Sequence, residues 1–226
     1  MKFSACILNF LLLAASWAQA DDTFRLAFGS CNGHNRPQPL WEPILQHKPD
    51  VWVWLGDIVY TDTYDMEVLR SAYAHQKMNP GYANLWKSTK VVGIWDDHEY
   101  GVNDSGAEYP MKKESQKELL DFLDEPEASP RRQQEGIYAS YDFGEGDRRL
   151  KLILLDGRYH REEPGPKSDM LGEAQWEWLE HELRTSEAKI HVIGSSIQVI
   201  PTEQRFEKWA AFPAARQRLI KLIADS

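Results

Sequence analysis

The sequence predicts a layered α/β domain, and three observations predict it. Short apolar runs rich in β-branched and aromatic residues recur along the chain, and longer amphipathic segments separate them. That alternation is the pattern of strands exchanging with helices. The most polar irregular stretches, moreover, follow apolar runs directly. In open α/β folds ligands collect beyond the carboxyl ends of strands, so these stretches are expected to meet at one edge and carry the chemistry.

The expected strands lie at residues 24–28, 51–55, 91–95, 137–143, 150–155 and 190–194. Helical spacing marks residues 111–123, where Lys112, Lys113, Glu114 and Lys117 surround an apolar edge. It recurs where Trp176, Leu179 and Leu183 stand three and four apart, and again over residues 213–223. The polar irregular stretches are residues 29–39, 56–65, 96–110 and 157–169, with no internal repeat or low-complexity tract among them.

The N-terminus reads as a secretory leader over residues 1–20. Lys2 precedes an apolar run from Ala5 to Ala15, and Ala18-Gln19-Ala20 forms a small-residue cleavage pattern before Asp21. The run is shorter than the ~20 residues of a membrane-spanning helix, so a secreted or periplasmic protein without a membrane anchor is expected. Removing 20 of 226 residues leaves one domain, residues 21–226, long enough to bury a core. The net charge of −9 argues against a nucleic-acid-binding surface. It leaves room for an anionic substrate, because bound cations reverse the sign of a site locally. Cys6 falls in the leader, so Cys31 is the single cysteine of the mature chain and no internal disulfide is possible. Nothing in the sequence indicates an oligomeric state.

Four strand ends carry ligand types. VWVWLGDIVY presents Asp57 after Gly56, with Tyr60 three residues on; a hard trivalent ion such as Fe(III) could bind that phenol as phenolate. Taken alone, Asp57 reads better as a loop cap and Tyr60 as packing. VVGIWDDHEYGVND sets Asp96, Asp97, His98 and Glu99 in a row, costly after a buried strand unless paired or metal-bound. Asn103 and Asp104 add oxygens nearby. FGSCNGHN repeats the layout with Cys31, either a small buried hydrophobe or a thiolate ligand for iron or zinc; its strand-end position favours the ligand. His34 is the weaker candidate. In KLILLDGRYHRE, Asp156 ends a strand and Arg158 offers a guanidinium fork suited to phosphate oxygens, with a structural Asp–Arg pair as the competing reading. Four such ends together point to a metal site beside an anion clamp.

These segments, in this order, resemble the PhoD-like alkaline phosphatases and phosphodiesterases, a branch of the metallophosphoesterases. The likeness covers GSC at Cys31, PDVWVWLGDIVY, WDDHEYGVND, SPRR-x-x-x-GIY from Ser129, LLDGR and FEKWAAFPAARQRLI. It implies a metallophosphoesterase-like sheet sandwich flanked by helices. It also implies iron, Fe(3+), on Cys31, Asp57 and Tyr60, with Asp57 bridging to a second ion, Ca(2+), near Asp97. His98 would assist the leaving oxygen, and Arg158, His98 and Asn103 would hold a small phosphoester during hydrolysis by metal-activated water.

Two departures qualify the likeness. Many relatives read LDTR where Gly157 stands here, which loses a hydroxyl. A further Gly-Asp-x-His motif, expected one strand beyond the FPAARQRLI helix, does not occur before Ser226, so the sheet is expected to be incomplete at its C-terminal end. Cys31, Asp57, Tyr60 and Asp97 are few ligands for two ions. The alternative to an active phosphoesterase is therefore a truncated remnant that binds metal or phosphate without turnover. A lipid- or nucleic-acid-directed diesterase is a weaker alternative, since Trp41, Trp52, Trp54 and Trp86 read more simply as core.

Overall fold

The computed structural model describes residues 23–226; the expected leader lies outside the described residues. Two three-stranded sheets form the centre. The first is parallel, in the order β1 (Leu26–Gly29), β2 (Val51–Leu55), β3 (Lys90–Ile94), with Val51 opposite Leu26 and Lys90. The second runs β4 (Ala139–Phe143), β5 (Leu150–Leu154), β6 (Ile190–Gly194), with β4 antiparallel and β6 parallel to β5.

Parallel neighbours need crossovers, and the helices supply them. Helix α1 (Trp41–Gln46) joins β1 to β2, while α2 (Met66–Met78) and α3 (Pro80–Ser88) join β2 to β3. One-turn α4 (Asp97–Tyr100) and α5 (Lys112–Phe122) follow β3; α6 (Glu173–Thr185) links β5 to β6, and α7 (Pro213–Ala224) comes last. Asp65 caps α2 through Glu67 N, and Asn79 caps α3 ahead of Pro80, both standard ways to satisfy a helix's first N–H groups.

Alternation along the central strands sets the layers. On β2, Trp52 and Trp54 pack against Trp41 of α1, and Trp54 also meets Tyr82 of α3, with ring centroids 5.3 to 5.7 Å apart. From the other face, Leu55 comes so close to β6 that a Cβ on Gly194 would lie 2.9 Å from it. On β5, Leu152 and Leu154 join the core around the first sheet; Ile153 joins a second core with Trp176, Leu179 and Leu183 of α6 and Leu219 of α7. The result is helices, sheet, sheet, helices. Arg131 clamps the two sheets, its buried guanidinium donating to Gly93 O of β3, to Ile137 O at 2.7 Å and to Tyr141 Oη of β4 at 3.3 Å.

Several strand and helix bounds shift by a residue or two, among them the third strand, at Lys90–Ile94, and the fifth, which ends at Leu154. The first strand begins at Leu26 rather than residue 24. The fourth begins at Ala139 rather than residue 137, because Ile137 N is spent on Asp156 Oδ2 and Ile137 O on Arg131. The stretch 96–110, expected to be irregular, contains α4, closed by Tyr100 N on Asp96 O and Gly101 N on Asp97 O.

Candidate metal centre

Two neighbouring parallel strands bring the first residues together. β1 ends in Gly29 and the chain passes through Ser30 to Cys31; β2 ends at Leu55 before Gly56 and Asp57. Asn32 N donates to Asp57 O at 2.7 Å, which ties the two turns side by side. Gly56, at φ +92°, lies where a Cβ would come within 2.4 Å of Asp96 Cβ, so only glycine lets this turn approach the end of β3. Cys31 (φ 56°) and Asp57 (φ 52°) both hold left-handed backbone, a conformation non-glycine residues adopt at a cost of ~1–3 kcal/mol.

Asp57 is buried. Its Oδ2 accepts from Tyr60 Oη at 2.8 Å, and its Oδ1 is buried with no donor. Burial pushes the Asp57 carboxyl up; the Tyr60 hydroxyl opposes this, and the Asp97 charge adds to it. Burial and the Asp57 carboxylate push the Tyr60 phenol far up. Cys31 is exposed and so is not the small buried hydrophobe of the competing reading; partial desolvation still raises its thiol, against a contact from Ser30 Oγ at 3.6 Å, with Asp57 adding to the rise. Three groups that resist ionisation at one place form a site that a cation would relieve. His34, the weaker candidate, accepts from Tyr60 N through Nδ1 at 3.3 Å and so positions the tyrosine's backbone.

The four consecutive ionisable residues after β3 meet four different fates. Asp96 pairs with Arg158, yet burial pushes its carboxyl up to about 7 against that pull. Asp97, buried at the start of α4, accepts from Asp104 N at 2.8 Å. His98 Nδ1 lies 2.8 Å from Asp62 Oδ1, and its ring rests 4.3 Å from that of Tyr60. Burial alone would lower the His98 pKa, but Asp62, Asp97 and Asp57 outweigh it and the net shift is upward. Glu99 accepts from Ile58 N, and burial, with the Asp57 charge adding to it, pushes its carboxyl well up. One ligand atom each from Asp57, Asp97 and His98 lie within 4.8 Å of one another. Asn103 is exposed on the following loop, and its side chain makes no hydrogen bond to another described residue.

The end of β5 is built differently. Asp156 Oδ1 accepts from Trp95 Nε1 (2.9 Å), Arg158 N (2.8 Å) and Tyr159 N (3.1 Å), while Oδ2 accepts from Ile137 N. Asp156 is thus structural, but it holds main-chain and indole N–H groups rather than the Arg158 guanidinium. That guanidinium is buried and donates to Asp96 Oδ1 (2.7 Å), Ser105 O (3.2 Å) and Glu207, with Asp97 Oδ1 at 3.7 Å. Asp62, Arg161 and Glu207 were not foreseen. Their partners lie 36 to 57 residues away in sequence, where no local spacing signals them. A cavity of about 750 Å³ opens beside Cys31 and Tyr60 and is walled by Trp41, Trp52 and Trp54.

A cation fits this donor set. A buried carboxylate oxygen lacking any donor, a thiol and a phenol share one strand-end corner, with a second carboxylate, Asp97, near enough to join them and the His98 imidazole alongside.

Fold and site together define an α/β sheet sandwich with an acidic cluster, suited to cations, at the carboxyl ends of its parallel strands. The family model for PhoD-like phosphatases matches residues 26–226, and the chain belongs to that family. Among solved structures it is similar to one described as PhoD, at 19% identity and TM-score 0.74, over 88% of this chain and 48% of that one. It is also similar to a dimetal phosphatase from Danio rerio, at 16% identity and TM-score 0.56, over 89% of this chain and 77% of that one. At these identities the likeness speaks for the fold, and the chain spans about half the length of the PhoD structure. No curated protein matches the sequence significantly. Among the described residues, no helix is long and apolar enough to cross a membrane.

Proposed function

We propose that the protein is an exported metal-dependent phosphoesterase that hydrolyses small phosphomonoesters or phosphodiesters. The observation that carries this reading is Asp57 Oδ1, a buried carboxylate oxygen without a donor, set between Tyr60 and the Asp97–His98 turn. Cys31, Asp57 and Tyr60 would hold iron, and Asp57 with Asp97 a second ion, calcium by family likeness. When bound, the ions would supply Lewis-acid charge to the phosphoryl oxygens and to the attacking water. Export rests on the leader pattern over residues 1–20.

The chain's own residues have separable tasks. His98, held by Asp62 through Nδ1, would turn Nε2 toward the leaving oxygen and give it a proton while Nδ1–H stays on Asp62. Arg158 and Asn103 bind and orient the phosphoryl oxygens. Tyr60, whose ring lies tilted against that of His98 at 4.3 Å, limits the imidazole's motion. A second reading, a protein that binds metal or phosphate without turnover, is favoured by one observation: the Arg158 guanidinium already has Asp96 and Glu207 as partners. Hydrolysis of bis-(p-nitrophenyl) phosphate and p-nitrophenyl phosphate, with and without chelator, separates the two. Chelator-sensitive release of nitrophenol supports the enzyme. Metal content without release supports the binding protein.

A further inference from the structure

Beyond Arg158, a second buried arginine converges on the same spot. Arg161 follows three residues later, in a turn closed by Arg161 N on Arg158 O at 3.1 Å, and its own carbonyl is held by Ala107 N at 2.8 Å. The side chain is almost wholly buried, with its guanidinium over the Phe212 ring at 5.3 Å. Nη1 donates to Asp104 O at 3.1 Å, Nη2 pairs with Glu207 Oε1, and Nε is buried without an acceptor. Glu207 Oε2 in turn pairs with Arg158 Nη2. One carboxylate therefore bridges two buried guanidinium groups, each oxygen serving one of them. Glu207 is itself partly exposed, and one of its oxygens lies within 4.8 Å of a carboxylate oxygen of Asp97.

We propose that Arg158 and Arg161 form a two-arginine site for a tetrahedral oxyanion, orthophosphate or a phosphoester dianion, and that Glu207 fills it as an internal stand-in which the ligand displaces. This rests on the phosphoesterase reading for its place beside Asp97, but the binding it requires does not depend on turnover. Two fixed guanidinium groups disfavour a cation at this position, although Asp97, Asp104 and Glu207 come close enough together to suggest one. Glu207 matches the two guanidinium groups poorly: Oε2 accepts from Arg158, but Oε1 meets Arg161 Nη2 as a charge contact without a hydrogen bond, and Arg161 Nε remains unmet. A phosphate's further oxygens can accept from Nε while keeping both Nη2 contacts. Glu207 belongs to the segment between β6 and Trp209, and Trp209 N on Gln198 O at 2.9 Å anchors that segment just beyond it. Displacement therefore needs a shift of the Glu207 side chain and not unfolding of the core.

The test is orthophosphate binding by titration calorimetry to the full chain, treated with chelator so that the arginines are read without metal. E207Q is expected to bind phosphate roughly tenfold or more tightly than wild type, because a competing charge is gone. Adding R161M to E207Q is expected to reverse that gain. R161K, which keeps the charge but lacks Nε, is expected to weaken phosphate binding with its circular dichroism spectrum unchanged. An E207Q affinity equal to wild type, or an R161K affinity equal to wild type in a folded protein, overturns the proposal. If wild type binds phosphate and E207Q binds it more tightly while no ester is cleaved, the proposal stands and the enzymatic reading fails. If esters are cleaved but phosphate affinity ignores Glu207 and Arg161, the reverse holds.

Discussion

The strands at the centre of the two sheets both end in a carboxylate, and the two carboxylates do opposite work. Asp156, past β5, is saturated: three main-chain N–H groups and one indole N–H point at its two oxygens. Asp57, past β2, is also buried, though less completely (8% exposed against 1%); its one hydrogen bond comes from Tyr60, and Oδ1 has none. Four donors can compensate the desolvation of a buried carboxylate; one donor next to Asp97 and a buried Glu99 does not. The first carboxylate braces the fold, and the second remains available to a ligand that brings positive charge.

The sharpest way to break this contrast is to remove each carboxylate from metal-free protein. Asp156→Ala leaves several buried N–H groups without acceptors and should cost at least ~3 kcal/mol in urea unfolding. Asp57→Asn should cost nothing, or stabilise, because it removes an incompletely paired charge and keeps an acceptor for Tyr60. Equal losses in the two variants would refute the distinction. Gly56→Ala comes next in size: positive φ and the approach to Asp96 should together destabilise by more than ~1 kcal/mol, and chelator-treated protein should show it.

The smallest effect concerns His98. Its folded pKa is raised, so the stability contributed by its contact with Asp62 is fully present below the unfolded pKa, ~6.5, and is lost as pH rises through the folded value. Asp62→Asn should lower the His98 pKa in an NMR titration of metal-free protein and remove that part of the pH dependence. An unchanged titration would show that Asp97 and Asp57, rather than Asp62, set the imidazole.

Much of this was legible in the sequence because it is local. The VWVWL and LKLIL runs announce buried strands, and the ligand types stand within a few residues of their ends. The opposite fates of Asp57 and Asp156 were not legible, because they depend on donors brought from elsewhere: Trp95 is 61 residues from Asp156, and Ile137 is 19. Asp62 was hidden for the same reason. It reaches His98 only after the 60–62 loop is strapped to α4 by Thr61 N and Asp62 N on His98 O. Arg158 was recognisable as a guanidinium at a strand end, but its partners Asp96 and Glu207 stand 62 and 49 residues away.

The most direct test is metal content by elemental analysis of the purified chain, wild type against Asp57→Asn, at matched folding by circular dichroism. The site described predicts bound metal in wild type and, for a lost ligand, a fall in affinity at least as large as the ~10–100-fold typical of losing an outer partner. Metal retained undiminished by the folded Asp57→Asn protein would contradict it.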